Sequence, residues 1–349
     1  MTLVAALDDR AEPVFGARIN LSILDVEPGL EAVQHLGLQH GDQPGTPALA
    51  VDAPIDAMSP RPATAVQGLT IRDMGFAYPD DFDPRWNPRM PEFAMVANAV
   101  SLLMPHAEPY VVSSSRAALA QMGDDPLDPT NLANRTRTYI RQEAQHHAEH
   151  RRFNAVVARR YRTKLLERMM AATFRFLKGR SSSFGIAFAA GFETVAFVVA
   201  RWVDARIHTL LPEIGKLGAD GLPNDDDANV AANLFVWHLA EEAEHRSIAY
   251  EVHQRTGGTQ LAYTGAMIVS FVILGIFTSL GILTMLIRDR RILHPVAWFR
   301  LLGWTLSFLF NAVPLMAVTC LSGHEPADLL DPPNLMAWLR ARDRQSEAN

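Results

Sequence analysis

Glu143-Ala144-Gln145-His146 and Glu242-Ala243-Glu244-His245 repeat one pattern, Glu-x-x-His, and each copy follows a lone glutamate, Glu108 before the first and Glu193 before the second. At about 100° per residue, a glutamate and a histidine three positions apart leave one face of a helix a turn apart. Two such helices, with two more each giving one carboxylate, can aim four carboxylates and two imidazoles at a shared interior point. This order of ligands is that of a two-metal carboxylate site inside a four-helix bundle. The intervals from Glu108 to Glu143 and from Glu193 to Glu242 each fit one helix, a turn and the next helix. The stretch from Glu143 to Glu193 leaves room for the crossover that a ferritin-like bundle needs.

Neighbouring residues extend both motifs. His238, Glu242 and His245 fall within about 60° of one another on a helical wheel, whereas Glu241 points elsewhere. In the first motif Glu143, His146, His147 and His150 lie on broadly one side. His146 repeats the Glu-x-x-His spacing, with His147 the alternative, and His150 is then an extra ligand or a group that hydrogen-bonds a ligand. Arg246, four positions after Glu242, is placed to orient that carboxylate or is a surface cation. A single Glu-x-x-His would be ordinary in a chain with 38 acidic residues and 12 histidines. Two copies, each behind a lone glutamate, are not. Glu193 also sits in Phe192-Glu193-Thr194-Val195-Ala196-Phe197, where an unpaired carboxylate is costly.

With 349 residues and 48% hydrophobic content the chain can bury a large core. A net charge of -6, without a basic stripe interleaved with aromatics, argues against a nucleic-acid partner. Cys320 is the single cysteine, so no intramolecular disulfide forms. Met1 is not followed by a positively charged and then apolar leader, which gives the cytoplasmic side as the expected location.

Residues 1 to 70, rich in Pro, Asp, Gly and Ala, read as a flexible arm. Residues 71–258 hold the bundle. Phe76, Tyr78, Phe82 and Trp86 predict a strap that packs aromatics onto it. Helix 1, about 92–119, meets Pro105 and Pro109 and is expected to kink or break around Glu108. Thr130 or Asn131 caps a second helix, about 132–158. The basic stretch Arg159 to Arg180 reads as an exposed connecting helix that Gly179 ends. A third helix is expected from Ser183 to Leu211. After the turn-rich Leu222 to Asp227, a fourth runs through 228–255. Helical periods without a period-2 strand make the fold all-α.

Residues 259–325 form a C-terminal apolar helical pair, and 326–349 read as a polar tail. Ala262 to Ile287 carries no charge and is long enough for a bilayer's hydrocarbon. Val296 to Leu321 is interrupted by Arg300, Asn311 and Pro314. If both spanned, Arg288-Asp289-Arg290-Arg291 would lie opposite a cytosolic metal domain, against the positive-inside tendency. Three arrangements stay open: a half-embedded hairpin, a spanning pair, or helices buried in the protein or a homodimer interface.

With these motifs placed, the chain resembles the ferritin-like family described as predicted metal-dependent hydrolases. The resemblance is carried by Ile71-Arg72-Asp73-Met74-Gly75-Phe76, Trp86, Ser101 to Tyr110, Arg141-Gln142-Glu143-Ala144-Gln145-His146-His147, His150 to Asn154 and Glu241 to Arg246. Where that family reads Pro-x-Gly-Glu, this chain has Pro105-His106-Ala107-Glu108. The spacing of His238, Glu242 and His245 is also similar to that of di-iron arylamine N-oxygenases. That similarity implies a seven-ligand set of Glu108, Glu143, His146, Glu193, His238, Glu242 and His245, and iron as the metal.

The first functional expectation is therefore a di-iron oxygenase or oxidase, with two Fe ions, O₂ as co-substrate and an external electron donor. Phe184, Phe188 and Phe192, with Gly185, Ala189 and Ala196 leaving space, read either as core packing or as a channel for a hydrophobic, lipid or acyl substrate. The alternatives are a Zn or Mn hydrolase using metal-activated water, and a membrane-associated iron-binding or ferroxidase protein.

Overall fold

Helices take up most of the described residues, and no β-strand forms among them. The structure is a computed structural model that describes residues 69–125, 127–211 and 229–348. All of them lie in the unit Asp52–Asn349. The arm expected over residues 1 to 70 lies outside the described residues except for its last two, and so does the turn-rich 222–227. The elements are α1 (Pro91–Met122), α2 (Leu132–Arg160), α3 (Lys164–Lys178), α4 (Ser182–Asp204), the single turn α5 (Ile207–Leu210), α6 (Val230–His245), α7 (Ile248–Arg255), α8 (Gln260–Arg288), α9 (Pro295–Thr319) and α10 (Pro333–Ala348).

α1 does not break at its prolines. Pro105 has no N–H, so the carbonyl of Ser101 loses its helical partner. Asn154 of α2 replaces it, donating from Nδ2 to Ser101 O at 2.8 Å. A contact from another helix thus repairs what the local sequence would disrupt. The capping of α2 also differs from expectation. Asn131 sits at the N-cap in a left-handed conformation and its side chain caps nothing. Asp128 takes over, accepting from Thr130 N at 2.9 Å and Leu132 N at 3.3 Å.

The third helix stops at Asp204, short of Leu211, and the fourth is interrupted between α6 and α7. At that interruption Arg246 Nη1 donates to Ala243 O at 3.0 Å, occupying the carbonyl that the Ser247 N–H would take in a continuous helix. Gly179 does end α3.

α1 packs along α2 on one side and along α8 on the other, and α4 packs against α1, α6, α7, α8 and α9. Two close approaches show how tightly α8 lies in the groove between α1 and α4. A Cβ on Gly191 would come within 2.5 Å of the Met267 backbone, and one on Gly281 within 2.6 Å of Ala99 Cβ. α9 returns antiparallel to α8, its last residues meeting the start of α8 where Tyr263 donates to Thr319 Oγ1 at 3.0 Å. At its other end Glu92 of α1 pairs with Arg291 and, at 2.9 Å, with Arg300.

Residues 69–90 form a strap over α2 and α6: Phe76 packs on Trp237 at 5.6 Å and Trp86 stacks on Phe235 at 5.5 Å. The segment read as a polar tail contains α10, which buries Leu335, Trp338 and Leu339 and packs on α6 and α4. Three helices, α4, α8 and α9, are long and apolar enough to cross a membrane, but α4 is the only one of them that is mostly buried.

Candidate metal centre

The four glutamates of the sequence pattern are brought together where α1, α2, α4 and α6 face one another. Glu108, Glu143, Glu193, Glu242, His146 and His245 are at most 1% exposed. Two groups of potential ligand atoms form: Glu143, His146, Glu242 and His245, and beside them Glu108, His150 and His238. Within each group the atoms lie within 4.8 Å of one another. Glu242 joins the groups, since its Oε1 is 3.6 Å from His146 Nδ1 and 3.1 Å from His238 Nε2. Glu193 approaches the first group, with Oε2 at 3.8 Å from His245 Nδ1.

Hydrogen bonding fixes which nitrogen each imidazole presents. His146 Nε2 lies 3.0 Å from Glu241 Oε2, and a carboxylate can only accept, so Nε2 carries the hydrogen and Nδ1 the lone pair. Gln142 donates its amide N–H groups to Thr70 O and Glu244, which leaves Oε1 to accept from His245 Nε2 at 3.1 Å. His245 Nδ1 is therefore also a lone pair, and it lies 2.8 Å from Glu143 Oε1.

The same reasoning follows a chain to the second group. Asn154 Nδ2 donates to Ser101 O, so its Oδ1 accepts from Ser101 Oγ at 2.7 Å. Ser101 has then spent its hydrogen and accepts from His150 Nδ1 at 2.8 Å. His150 Nε2 presents a lone pair beside His238 Nδ1, 2.7 Å away.

These atoms are arranged to receive positive charge. The Nδ1 atoms of His146 and His245, both oxygens of Glu108 and of Glu143, and one oxygen each of Glu193 and Glu242 are buried without a hydrogen-bond partner. Lone pairs of imidazole and carboxylate facing each other at such distances repel unless a positive charge lies between them. Two divalent ions would match four carboxylates in charge. Oxygen and imidazole donors without a thiolate suit iron, manganese or zinc, so the donor set fits a dinuclear metal cofactor.

The same crowding shifts the proton affinities of these groups. Burial, then the charge of Glu143, pushes Glu108 well above the usual carboxylate range. Burial works against a charged His146, but the carboxylates of Glu143, Glu241 and Glu242 outweigh it and raise its affinity well above normal. His150 goes the other way, lowered by burial and by His238, so it stays neutral.

Several expected roles change. His147 is partly buried, lines a surface cleft between α1 and α2 with His106, Pro105 and Arg151, and belongs to neither ligand group. Arg246 turns to Asp331 and lies over the Phe197 ring, so it does not serve Glu242. The Phe184, Phe188, Phe192 stripe is packed core rather than a channel at Phe188, whose ring contacts Phe192, Tyr110 and Phe174. The space expected at Gly185 is taken by Ser114, whose Oγ would be 2.7 Å from an added Cβ.

Other residues were missed by sequence reasoning. Glu241 is fully buried and, besides holding His146, accepts from Arg72 Nη1 at 3.1 Å. Arg72 also clamps Glu244 and Asp343, tying the strap and α10 to the back of the site. Tyr139 donates to Glu193 Oε1 at 2.6 Å, leaving Oε2 to face the cluster. A hydroxyl one turn before Glu143 was a usable signal for Tyr139. Nothing in helical spacing pointed to Arg72.

No curated protein and no solved structure matches the chain. A family model does, over residues 70–329, a span that takes in the strap, every residue of the cluster and the apolar pair. The chain belongs to the family described as predicted metal-dependent hydrolases.

Proposed function

We propose that the chain is a metal-dependent enzyme in which Glu108, Glu143, His146, Glu193, His238, Glu242 and His245 hold two divalent ions, with His150 as a further ligand to the second. The observation that carries this reading is the convergence of imidazole lone pairs on buried carboxylate oxygens that have no other partner. The ligand order along α1, α2, α4 and α6 supports a ferritin-like arrangement. Hydrolysis is the leading chemistry, as the family description suggests.

Divalent ions held by these glutamates and histidines would supply a more acidic bound water, with a pKa of about 7, and a Lewis acid for a carbonyl or phosphoryl oxygen. The protein's own part is orientation. Glu241 and Gln142 hold the two imidazoles so that Nδ1 faces inward. Tyr139 fixes one oxygen of Glu193. Glu108, with neither oxygen hydrogen-bonded, can offer one oxygen to an ion and the other as acceptor to a water in the site.

A second reading rests on the carboxylate-rich donor set, four glutamates in a dry interior, which favours iron in higher oxidation states. It is oxygen activation by two Fe ions, with an external electron donor and a hydrophobic or lipid substrate. One experiment separates the two. The purified full chain is loaded anaerobically with Zn(II), Mn(II) or Fe(II), and ester or phosphoester cleavage and oxygen uptake are followed. Cleavage without O₂ in the Zn or Mn form is the expected result. Oxygen uptake by a form holding two irons, with no cleavage by any form, puts the second reading first. A chain that retains none of the three metals overturns both.

A further inference from the structure

The outer layer made by α3, α8 and α9 is apolar on both of its sides. α8 buries Tyr263, Ala266, Met267, Ser270, Phe277, Gly281, Met285 and Leu286 against the bundle. It exposes Ile268, Val272, Ile276, Leu283 and Ile287 on the other side. α9 exposes Phe299 and Phe310 at 76% and 75%, with Leu302 and Leu306 between them and Val313 beyond. α3 buries Leu166, Met170, Phe174 and Leu177 and turns Leu165, Met169 and Phe176 outward. Soluble monomers rarely leave so large a contiguous apolar face in water.

We propose that this face lies flat on an anionic phospholipid bilayer, with α8 and α9 in the plane of the membrane rather than across it. Three observations carry the inference. The loop joining α8 to α9 is clamped to the bundle: Arg160 donates to Asp289 at 3.0 Å, Tyr161 to Asp289 at 2.8 Å, and Arg291 and Arg300 pair with Glu92. A spanning hairpin would carry that loop to the opposite side. Nor can the whole bundle enter the membrane alongside α8, because α2 shows Arg141, Arg151, Arg152 and Arg159 to solvent.

Second, the polar side chains on the outward faces bond back to their own helices. Ser279 donates to Gly275 O at 2.7 Å, Thr305 to Leu301 O at 2.8 Å and Asn311 to Ser307 O at 2.7 Å. Ser279 and Thr305 thereby place their one hydrogen within the helix, and Asn311 one of its two amide hydrogens, which lowers the cost of facing lipid.

Third, the rim selects the partner. Arg162, Lys164, Arg168, Arg175, Lys178 and Arg180 on and around α3 are exposed, as are Arg288 and Arg290 at the end of α8. Exposed leucine, methionine and phenylalanine flanked by cations is the pattern of a helix seated at the headgroup level of anionic lipid. The same cations on a second copy of the chain would repel it.

The test is flotation of the full chain with phosphatidylcholine vesicles, with or without phosphatidylglycerol. The chain should float with the anionic vesicles at least about tenfold better, and Lys164→Glu with Arg168→Glu should remove at least about tenfold of that binding. Both substitutions are at exposed positions, and an unchanged thermal melt checks that the variant is folded. Topology is read by an impermeant maleimide on vesicle-bound chain carrying Cys320→Ser with either His294→Cys at the α8–α9 loop or Ser322→Cys at the far end. Labelling at both positions supports the flat arrangement; protection of one of them means crossing and overturns it. Equal flotation with both vesicle types, no flotation, or a lipid-free dimer that binds neither overturns the anionic-surface assignment.

Discussion

α1 and α4 each have two sides, and the two sides follow opposite rules. Toward α2 and α6 their interior is crowded with ionisable groups, Glu108 and Glu193 among them, and the outer surface of α2 is charged as well. Toward α8 and α9 the interior is small and apolar, Gly191 against Met267 and Ala99 against Gly281, and the outer surface is apolar again. A helix pair that buries charge is held by what neutralises the charge; one that buries methyl groups is held by contact area. The two sides should therefore respond to different perturbations, and the largest response belongs to metal.

Chelating the metal-loaded protein removes the ions that offset four buried carboxylates. At a metal concentration a thousandfold above the dissociation constant, the lost stabilisation is about 4 kcal/mol for each ion, on the order of 10 °C in Tm apiece. Hydrogen exchange should locate the effect. Amides around Tyr139 to His150 and His238 to His245 lose protection, whereas those around Met267 and Gly281, on the apolar side, keep theirs. Equal loss on both sides would mean that the two are one cooperative unit and that the contrast has no energetic content.

This contrast also explains how much could be read from the sequence. The apolar pair was legible, with α8 and α9 near their expected places, because long uncharged runs leave few alternatives. Glu143 with His146, and His238 and Glu242 with His245, could be placed together because helical spacing puts each set on one face; Glu108 and Glu193 could be placed only from their order along the chain. What spacing could not supply is the support from other elements. Arg72 reaches Glu241 from a strap without periodicity, and Asn154 rescues the Ser101 carbonyl that Pro105 abandons. Glu241 does lie off the ligand face, but its hold on His146 was not legible, because a helical wheel shows which residues share a face but not which face meets a neighbour. α10 was misread because its polar composition hides Leu335, Trp338 and Leu339.

A smaller effect probes the charge joint that fastens the apolar layer to the bundle. Burial pushes the Glu92 carboxyl up, but the guanidinium groups of Arg300 and Arg291 more than offset this and hold it below the usual range. A lowered folded-state value means that the joint stabilises the fold above the unfolded carboxylate's value of about 4.3 and loses that contribution as pH falls through the folded value. Glu92→Gln keeps the shape and removes the charge. The variant should be less stable by about 2 kcal/mol at neutral pH. The gap should close as the pH falls below about 4, which urea titrations across pH would read. A gap that does not vary with pH would show that shape, and not charge, fastens the layer.

The smallest effect returns to the polar side, at the end of the chain of hydrogen bonds that sets His150. Ser101 accepts from His150 Nδ1 and donates to Asn154, which fixes Nε2 as the lone pair facing Glu108 and His238. Ser101→Ala leaves the ring in place but frees its tautomer, and removing a partner of this kind costs about ten- to a hundredfold in metal affinity. The loss should fall on one metal of the two. Stepwise titration should show the site of Glu143, His146, Glu242 and His245 filling as before, with the second step moved to higher metal concentration. Because α8 touches neither Ser101 nor His150 in the network described, its exchange protection should not change. A uniform weakening of both steps would mean that the groups on either side of Glu242 act as one site, and that the division between them is geometric only.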